Sequence, residues 1–386
     1  MDVPGVIAEL LPELIAIRHD LHANPETGFE ENRTGGIIAG FLASCGIEVH
    51  RGIGKTGVVG VLEGRTGGGR RIGLRADMDA LPMQEEAESP YRSVVPGKFH
   101  GCGHDGHMAT LLGAARYLAR TRTFSGTVHF VFQPAEEGLG GARAMLKDGL
   151  LERFPCDEIY GFHNWPELDL GKIRVIPGPC MAGADFFDIR LKGKGSHAAM
   201  PHNSRDPVTA MASLIGQLQT VVSRSVDPLE AAVLSVTRVA GGTAYNVIPS
   251  EVRIGGTVRF FSEEVRFLVL SQMRRIVEGC AASHAVDAEL STRNIFDVTV
   301  NDETSAAAVA EAAAAVLGND NVIRTGRPST ASEDFADMLK IVPGAYFMIG
   351  HGKKQPLHHP QYEFDDAAIP IGAGILSRLV ENRLPA

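Results

Sequence analysis

The chain has 386 residues, 44% hydrophobic and 22% charged, which excludes a disordered protein and gives enough length for two domains. Its formal net charge of -9, with no basic block, argues against a nucleic-acid partner, because phosphate binding needs a basic footprint. The five cysteines (Cys45, Cys102, Cys156, Cys180 and Cys280) are odd in number and scattered, which excludes a disulfide framework and fits a reducing compartment. Glu9, Glu13 and Arg18 interrupt the N-terminal apolar pattern, so it lacks the uncharged core of a signal peptide. No stretch reaches the roughly 18 apolar residues of a membrane span. A cytoplasmic protein with no membrane partner is the expectation.

Taken in order, the first 46 residues predict two helices. Leu10, Leu14, Ile17 and Leu21 recur at helical spacing, as do Ile37, Ile38, Phe41 and Leu42, and Pro25 and Gly28 mark a turn between them. Residues 58–64 and 71–77 are short, β-rich and bounded by glycine, which predicts two strands. The second would place Asp77 and Asp79 at a strand's C-terminal end, the edge where open α/β sheets bind ligands. A helix follows over 104–122, then a strand into a polar turn over 127–138, a helix over 142–151 and a strand over 157–166. Such alternation argues for a mixed or parallel α/β sheet.

Near residue 183 the pattern changes to strand, helix, strand, strand, helix, strand. That βαββαβ order is the ferredoxin-like split pattern, and it predicts an inserted domain over 184–294. The flanking stretches, 1–183 and 295–386, then form one α/β domain in two parts. The second part holds an alanine-rich helix over 305–317, a strand over 345–350 and a last helix.

The densest chemistry lies in HGCGHDGH, His100 to His107. Glycines let a short run bring several donors to one point, and the thiolate and imidazole of Cys102 and His104 suit zinc and its neighbours. Glu136 and Glu137 are adjacent, and on a regular strand they would face opposite ways. A turn after Pro134 would let one bind a metal while the other acts as general base toward water, although a solvated acidic turn fits the same pair. His163 ends an apolar strand, where a lone histidine is more often a structural residue with satisfied hydrogen bonds than a ligand. His358 and His359 sit in a loop, where both could be solvated or one could close a metal shell. His197, Asn246 and Arg259 lie in the inserted domain, and each is a weak signal by itself.

Together the motifs RHDLHANPETGFEE, LRADMDALP, HGCGHDGHMA, FQPAEEG, GFHNWP, GKGSHAAMPH, NVIP, GTVRFF, SEDFA and LHHPQYEF span nearly the whole chain. In this order they resemble the metal-dependent aminoacylase/carboxypeptidase superfamily. The subgroup they resemble contains hippurate hydrolases, plant auxin-conjugate amidohydrolases and N-acetyldiaminopimelate deacetylases. The resemblance implies a mixed-sheet α/β catalytic domain that binds two divalent metal ions (zinc, manganese, cobalt or nickel), with the insert as a lid and dimerisation domain. It implies Cys102, His104, Glu137, His163 and His358 as metal ligands, with Cys102 bridging, and Glu136 as general base and acid. It also implies that His197 reaches a neighbouring subunit's site to hold the oxyanion, and that Asn246 and Arg259 bind substrate.

Where many superfamily members carry His-x-Asp, this chain reads Asp77-Met78-Asp79. The metal shell is therefore expected to be the Cys/His version, with Asp79 supporting catalysis by orienting a ligand and with no role assigned to Asp77. The expected reaction is hydrolysis of an N-acyl or N-aroyl amino acid by a homodimer or larger homo-oligomer. Deacetylation of an N-acetylated diamino acid and dipeptide cleavage are the alternatives within the enzyme class. A non-catalytic, metal-stabilised binding module is the alternative outside it.

Overall fold

The computed structural model describes residues 3–66, 69–352 and 355–386. Its contacts divide the chain into two compact units. The first runs up to Cys180 and resumes over Thr299–Pro328 and Asp334–Ala386. The second comprises Met181–Val298 and a return segment, Ser329–Glu333. No helix of the described residues is long and apolar enough to cross a membrane.

The first unit opens with helices α1 (Val3–Ala23) and α2 (Asn32–Ser44), followed by strands β1 (Glu48–Ile53), β2 (Gly57–Glu63) and β3 (Arg71–Asp77). Helix α3 (His104–Thr121) and strands β4 (Thr127–Gln133) and β5 (Glu158–Trp165) come next. Among the described residues these strands form an eight-stranded sheet in the order β1-β2-β4-β3-β5, continued by Gly344–Gly350, Ile173–Arg174 and Val322–Ile323. The sheet is mixed: β1 and β2 are antiparallel, as are β2 and β4, whereas β4, β3, β5 and Gly344–Gly350 run parallel. Parallel central strands are covered on both faces, which is why β5 is buried from Glu158 to Asn164. Helix α3 packs against α1, β3 and the C-terminal helix Ala368–Arg383, burying Leu14, Leu111, Leu112, Leu118, Ile375 and Leu376.

Strand β1 has no counterpart in the predicted elements. It is an edge strand whose Glu48 and Arg51 are exposed, so it lacks the apolar alternation that announces a strand. The helix predicted over 142–151 is two short ones, Gly141–Lys147 and Leu150–Arg153, broken where Gly149 takes φ 83°.

In the second unit, strands Gly183–Lys192, Ala232–Gly241, Glu251–Phe260 and Asp287–Phe296 alternate with helices Pro207–Thr220 and Glu263–Ser283 in the expected βαββαβ order. The sheet is antiparallel throughout, with Glu251–Phe260 and Gly183–Lys192 central. Along Gly183–Lys192, Phe187, Ile189 and Leu191 face the core while Phe186, Asp188 and Arg190 are exposed. The two helices start at side-chain caps: Asp206 accepts from Val208 N and Thr209 N, and Ser262 from Val265 N. A short ribbon pairs Ser196–His197 with Val247–Ile248.

Candidate metal centre

The parallel strands β4, β3 and β5 deliver polar residues to one edge of the sheet. Register places Asp77 beside Gln133 and Arg75 beside Gly161, so the Asp79 loop, the Glu136–Glu137 turn and His163 all leave from neighbouring C-terminal strand ends. The N-terminus of α3 adds Cys102 and His104 from the loop that precedes it and its first residue. Gly103 between them has φ 86°, and a Cβ there would stand 2.5 Å from Asn164 Oδ1 and 2.6 Å from Tyr362 Oη. Only glycine fits that position.

Cys102 Sγ lies 3.4 Å from His163 Nε2 and 3.3 Å from His358 Nε2. His358 Nε2 in turn stands 3.2 Å from Glu137 Oε1. Three overlapping groups of donor atoms, each within 4.8 Å, join Cys102 with His104 and His163, Cys102 with Glu137 and His358, and His104 with Glu136 and Glu137. The imidazoles are oriented from behind. His163 Nδ1–H donates to Asn164 O at 2.7 Å and His104 Nδ1–H to Asp79 O at 2.8 Å, which turns both Nε2 atoms toward the other donors. His104 Nε2 is buried with no hydrogen-bond partner among the described residues.

The charges fit a cation. Burial, then Glu137, Glu136 and Asp77, push the Cys102 thiol well above its ordinary pKa, so a thiolate there needs positive charge beside it. Although burial opposes its charge, Asp77, Asp79 and Glu137 raise His104 to about 10. Burial and the neighbouring His107 push His163 well down, which favours the neutral imidazole that ligates metals. A soft sulfur donor, imidazoles and carboxylates, with Cys102, His104, His163 and Glu136 buried, Glu137 half-buried and His358 exposed, are a donor set for a first-row divalent metal.

Ala135 begins the glutamate turn with φ 54°, a left-handed conformation that costs an L-residue about 1–2 kcal/mol. Asp79 Oδ2 accepts from Glu137 N at 3.0 Å, and Glu136 O from Gly138 N at 2.6 Å. The turn breaks the strand's alternation, so both carboxylates reach the same group of donors as His104. His358 is likewise left-handed, at φ 62°, with its N–H donated to Gly101 O at 2.9 Å.

The structure gives Asp77 a place. Its Oδ1 accepts from His107 Nδ1 at 2.6 Å and its Oδ2 from Arg75 Nη1 at 2.7 Å, with His104 Nε2 at 3.8 Å. His104, His107 and Arg75 outweigh burial and hold its pKa well below the usual carboxylate range. Arg75 also donates to Gln133 and to Asp334, making a buried charged floor beneath the donors. His107, the first-turn histidine of α3, reaches Asn164 Oδ1 at 2.6 Å, and Asn164 donates to Tyr362 Oη at 2.6 Å. Asp105 faces away from the donors, bonded to His22 Nδ1 at 2.8 Å. His359 accepts from Gln361 N within its own turn. The roles of Asp77, Asn164, Arg75 and Asp334 are not visible in the motifs, although all but Asn164 and Arg75 are acids within them.

The other three candidates belong to the second unit. His197 is exposed and pairs with Val247 in the ribbon, while Asn246 O accepts from Ala198 N at 3.0 Å. Both line a cavity of about 590 Å³ with Gly195, Gly242 and Pro249. Arg259, on the central strand, donates to Ser332 Oγ in the return segment. Burial alone lowers its pKa, so no carboxylate of the described residues stabilises its charge.

Fold and donor set together are those of a metal-dependent hydrolase. Residues 73–382 match Peptidase family M20/M25/M40. The chain is 39% identical over 379 residues to a hippurate hydrolase of Campylobacter jejuni, covering 98% of each. It is 42% identical over 368 residues to an N-acetylcysteine deacetylase of Bacillus subtilis, covering 95% of each. An IAA-amino acid hydrolase of Arabidopsis thaliana is 37% identical, with 96% of this chain and 86% of that protein covered. The crystal structure of a Bacillus subtilis dinuclear metal binding peptidase from the M20 family superposes with a TM-score of 0.85 at 37% identity, covering 98% and 99% of the two chains. The chain belongs to peptidase family M20/M25/M40.

Proposed function

We propose that this chain hydrolyses the amide bond of an N-acyl or N-aroyl amino acid, releasing a carboxylic acid and a free amino acid. The observation that carries the reading is Cys102 Sγ standing between two imidazole Nε2 atoms, at 3.4 and 3.3 Å, beside the turn that holds Glu136 and Glu137. Cys102, His104, Glu137, His163 and His358 would hold two divalent metal ions, with Cys102 shared; zinc, manganese, cobalt and nickel all suit the set. When bound, the metals supply Lewis-acid polarisation of the amide carbonyl and a lowered pKa for water.

Glu136 takes the proton from the attacking water and returns it to the departing amine. Asp79 supports it from behind by fixing His104 through its carbonyl and the Glu137 amide through its carboxylate. His197 stabilises the developing oxyanion, and Asn246 binds a polar group of the substrate. Arg259 offers its planar fork to the substrate carboxylate, a role that suits a half-buried arginine without an acidic partner among the described residues. The second unit, in this reading, is the lid and the surface for dimer formation. Relatives named for hippurate, N-acetylcysteine and IAA-amino acid support the substrate class and differ in the acyl group.

A panel of acetyl, benzoyl, indolylacetyl and longer acyl groups on several amino acids tests the reading. Chelation should abolish release of amino acid and metal should restore it. Glu136→Gln should keep its metal content and lose about 10²–10⁴-fold in turnover. Full activity in that variant, or no release from any panel member, removes the proposal.

A further inference from the structure

The motif RHDLHANPETGFEE supplies no metal ligand, yet its last part lies against the catalytic turn. Ala80 N donates to Glu26 O at 2.8 Å, and a Cβ on Gly28 would come within 2.9 Å of Ala135 Cβ. Glu31 is fully buried at the position that caps α2, where a capping side chain accepts from the helix's own first amides. It makes no such bond. Glu26 takes that place, accepting from Arg33 N at 3.1 Å and Thr34 N at 2.8 Å. The Glu31 carboxylate turns to Ala135 N at 2.9 Å instead, and its second oxygen accepts from Thr56 Oγ1 at 2.6 Å.

We infer that Glu31 is a positioning residue for the general base and its neighbouring ligand. It locks the left-handed Ala135 amide, so that Glu136 and Glu137 leave the turn in the directions catalysis requires. The inference rests on the proposed roles of Glu136 and Glu137.

The backbone geometry explains the need. An alanine at φ 54° relaxes toward the ordinary region unless its surroundings hold it there. Three bonds from three elements do so: Glu31 on the Ala135 amide, Gly141 N on the Ala135 carbonyl at 3.0 Å, and Asp79 on the Glu137 amide. Two of the three are carboxylates, and charged acceptors make the stronger bonds to backbone N–H. They flank Glu136 on both sides along the chain. Asp79 belongs to a motif that already carries the site, whereas Glu31 arrives from 104 residues before Ala135.

The test compares Glu31→Ala, Glu31→Gln, the double variant Glu31→Ala/Ala135→Gly, and Gly28→Ala. Each is read by kcat and KM on an active panel substrate, by metal affinity in competition with a chromophoric chelator, and by thermal midpoint. Glu31→Ala should lower kcat and metal affinity by about 10–100-fold, the range for an outer contact of a metal site, with KM little changed. Glu31→Gln keeps an oxygen for the Ala135 amide and should stay within about threefold of the parent, since the bond weakens without vanishing. Glycine adopts the left-handed conformation without strain, so Ala135→Gly should restore much of the activity lost in Glu31→Ala. Gly28→Ala leaves Glu31 in place and presses on Ala135, and it should lower kcat and metal affinity together even if Glu31→Ala does not fold.

Parent-like kcat and metal affinity in Glu31→Ala overturn the inference, as does Glu31→Gln falling as far as Glu31→Ala. A double variant with no recovery also overturns it, and so does a folded Gly28→Ala with parent-like kcat. Glu136→Gln separates this failure from that of the underlying reading: if that variant is inactive while Glu31→Ala is normal, only the role of Glu31 is lost.

Discussion

The candidate groups of the two units are held in opposite ways. In the first unit, Cys102, His104 and His163 are buried, and each histidine is fixed by a second bond behind the ring. In the second, His197 and Asn246 are exposed and are held by the backbone pairing of a two-stranded ribbon. Metal donors must be oriented before an ion arrives, because each rotamer frozen on binding weakens affinity. Groups that meet a substrate must stay reachable, so their precision has to come from the chain and not from enclosure. One consequence is that substitutions among the buried charges beneath the first unit's donors should register as lost stability, and those in the ribbon as lost rate.

The largest effect is expected at the charged floor. Arg75→Met leaves Asp77 and Asp334 buried beside a neutral side chain, which should cost about 3–5 kcal/mol in denaturant unfolding. A loss below about 1 kcal/mol would mean that the floor is not what holds the first unit's donors. His197→Ala should behave in the opposite sense: kcat falls by about 10²–10³-fold, as for a removed oxyanion donor, while the thermal midpoint stays put. A lowered midpoint with unchanged kcat would erase the contrast between the units.

A smaller effect sharpens the comparison within the first unit. Against the pull of burial, Asp105 and Glu85 raise His22 to about 8, from an ordinary 6.5. The folded state thus favours the protonated ring, and the stabilisation is complete below pH 6.5 and lost as pH rises through about 8. Its size is about 2 kcal/mol, so the thermal midpoint should fall between pH 6.5 and 8.5 in the parent and much less in His22→Gln. Equal slopes in the two proteins would show that this buried pair plays no part.

The candidate donors were legible through the motifs of the whole chain taken together, since singly Glu137, His163 and His358 stand open between solvated or structural roles and ligation. Cys102, His104, Glu137, His163 and His358 stand in distinctive local runs, and the structure brings them within a few bond lengths of one another. The two α/β segments and the βαββαβ insert were legible from periodicity, because buried strands and amphipathic helices write their burial into local spacing. Strand β1 was not, since an exposed edge carries no apolar rhythm. Nor were the partnerships that support the site. Arg75 meets Asp334 across 259 residues, and Glu31 meets Ala135 across 104. Those meetings depend on the strand order β4-β3-β5 and on a loop folding back over a turn, and neither leaves a local mark. The return segment Ser329–Glu333 is hidden for the same reason: it joins the second unit through contacts such as Ala182 N to Ser329 O, not through its own composition.

The strand Gly344–Gly350 has a consequence for how the protein is made. It sits within the large sheet, with Ile159 beside Gly344 and His163 beside Met348, yet among the described residues it leaves the ribosome after every other strand of that sheet. The four strands of the second unit's larger sheet all lie between Gly183 and Phe296, so they can pair while the first sheet still lacks this member. Closing a parallel pair across so long a loop is slow, and until then the edge of β5 stands open to other chains. His358 follows later still. A nascent chain therefore carries the candidate donors Cys102, His104, Glu137 and His163 well before His358, and the five come together only once that later stretch has been made.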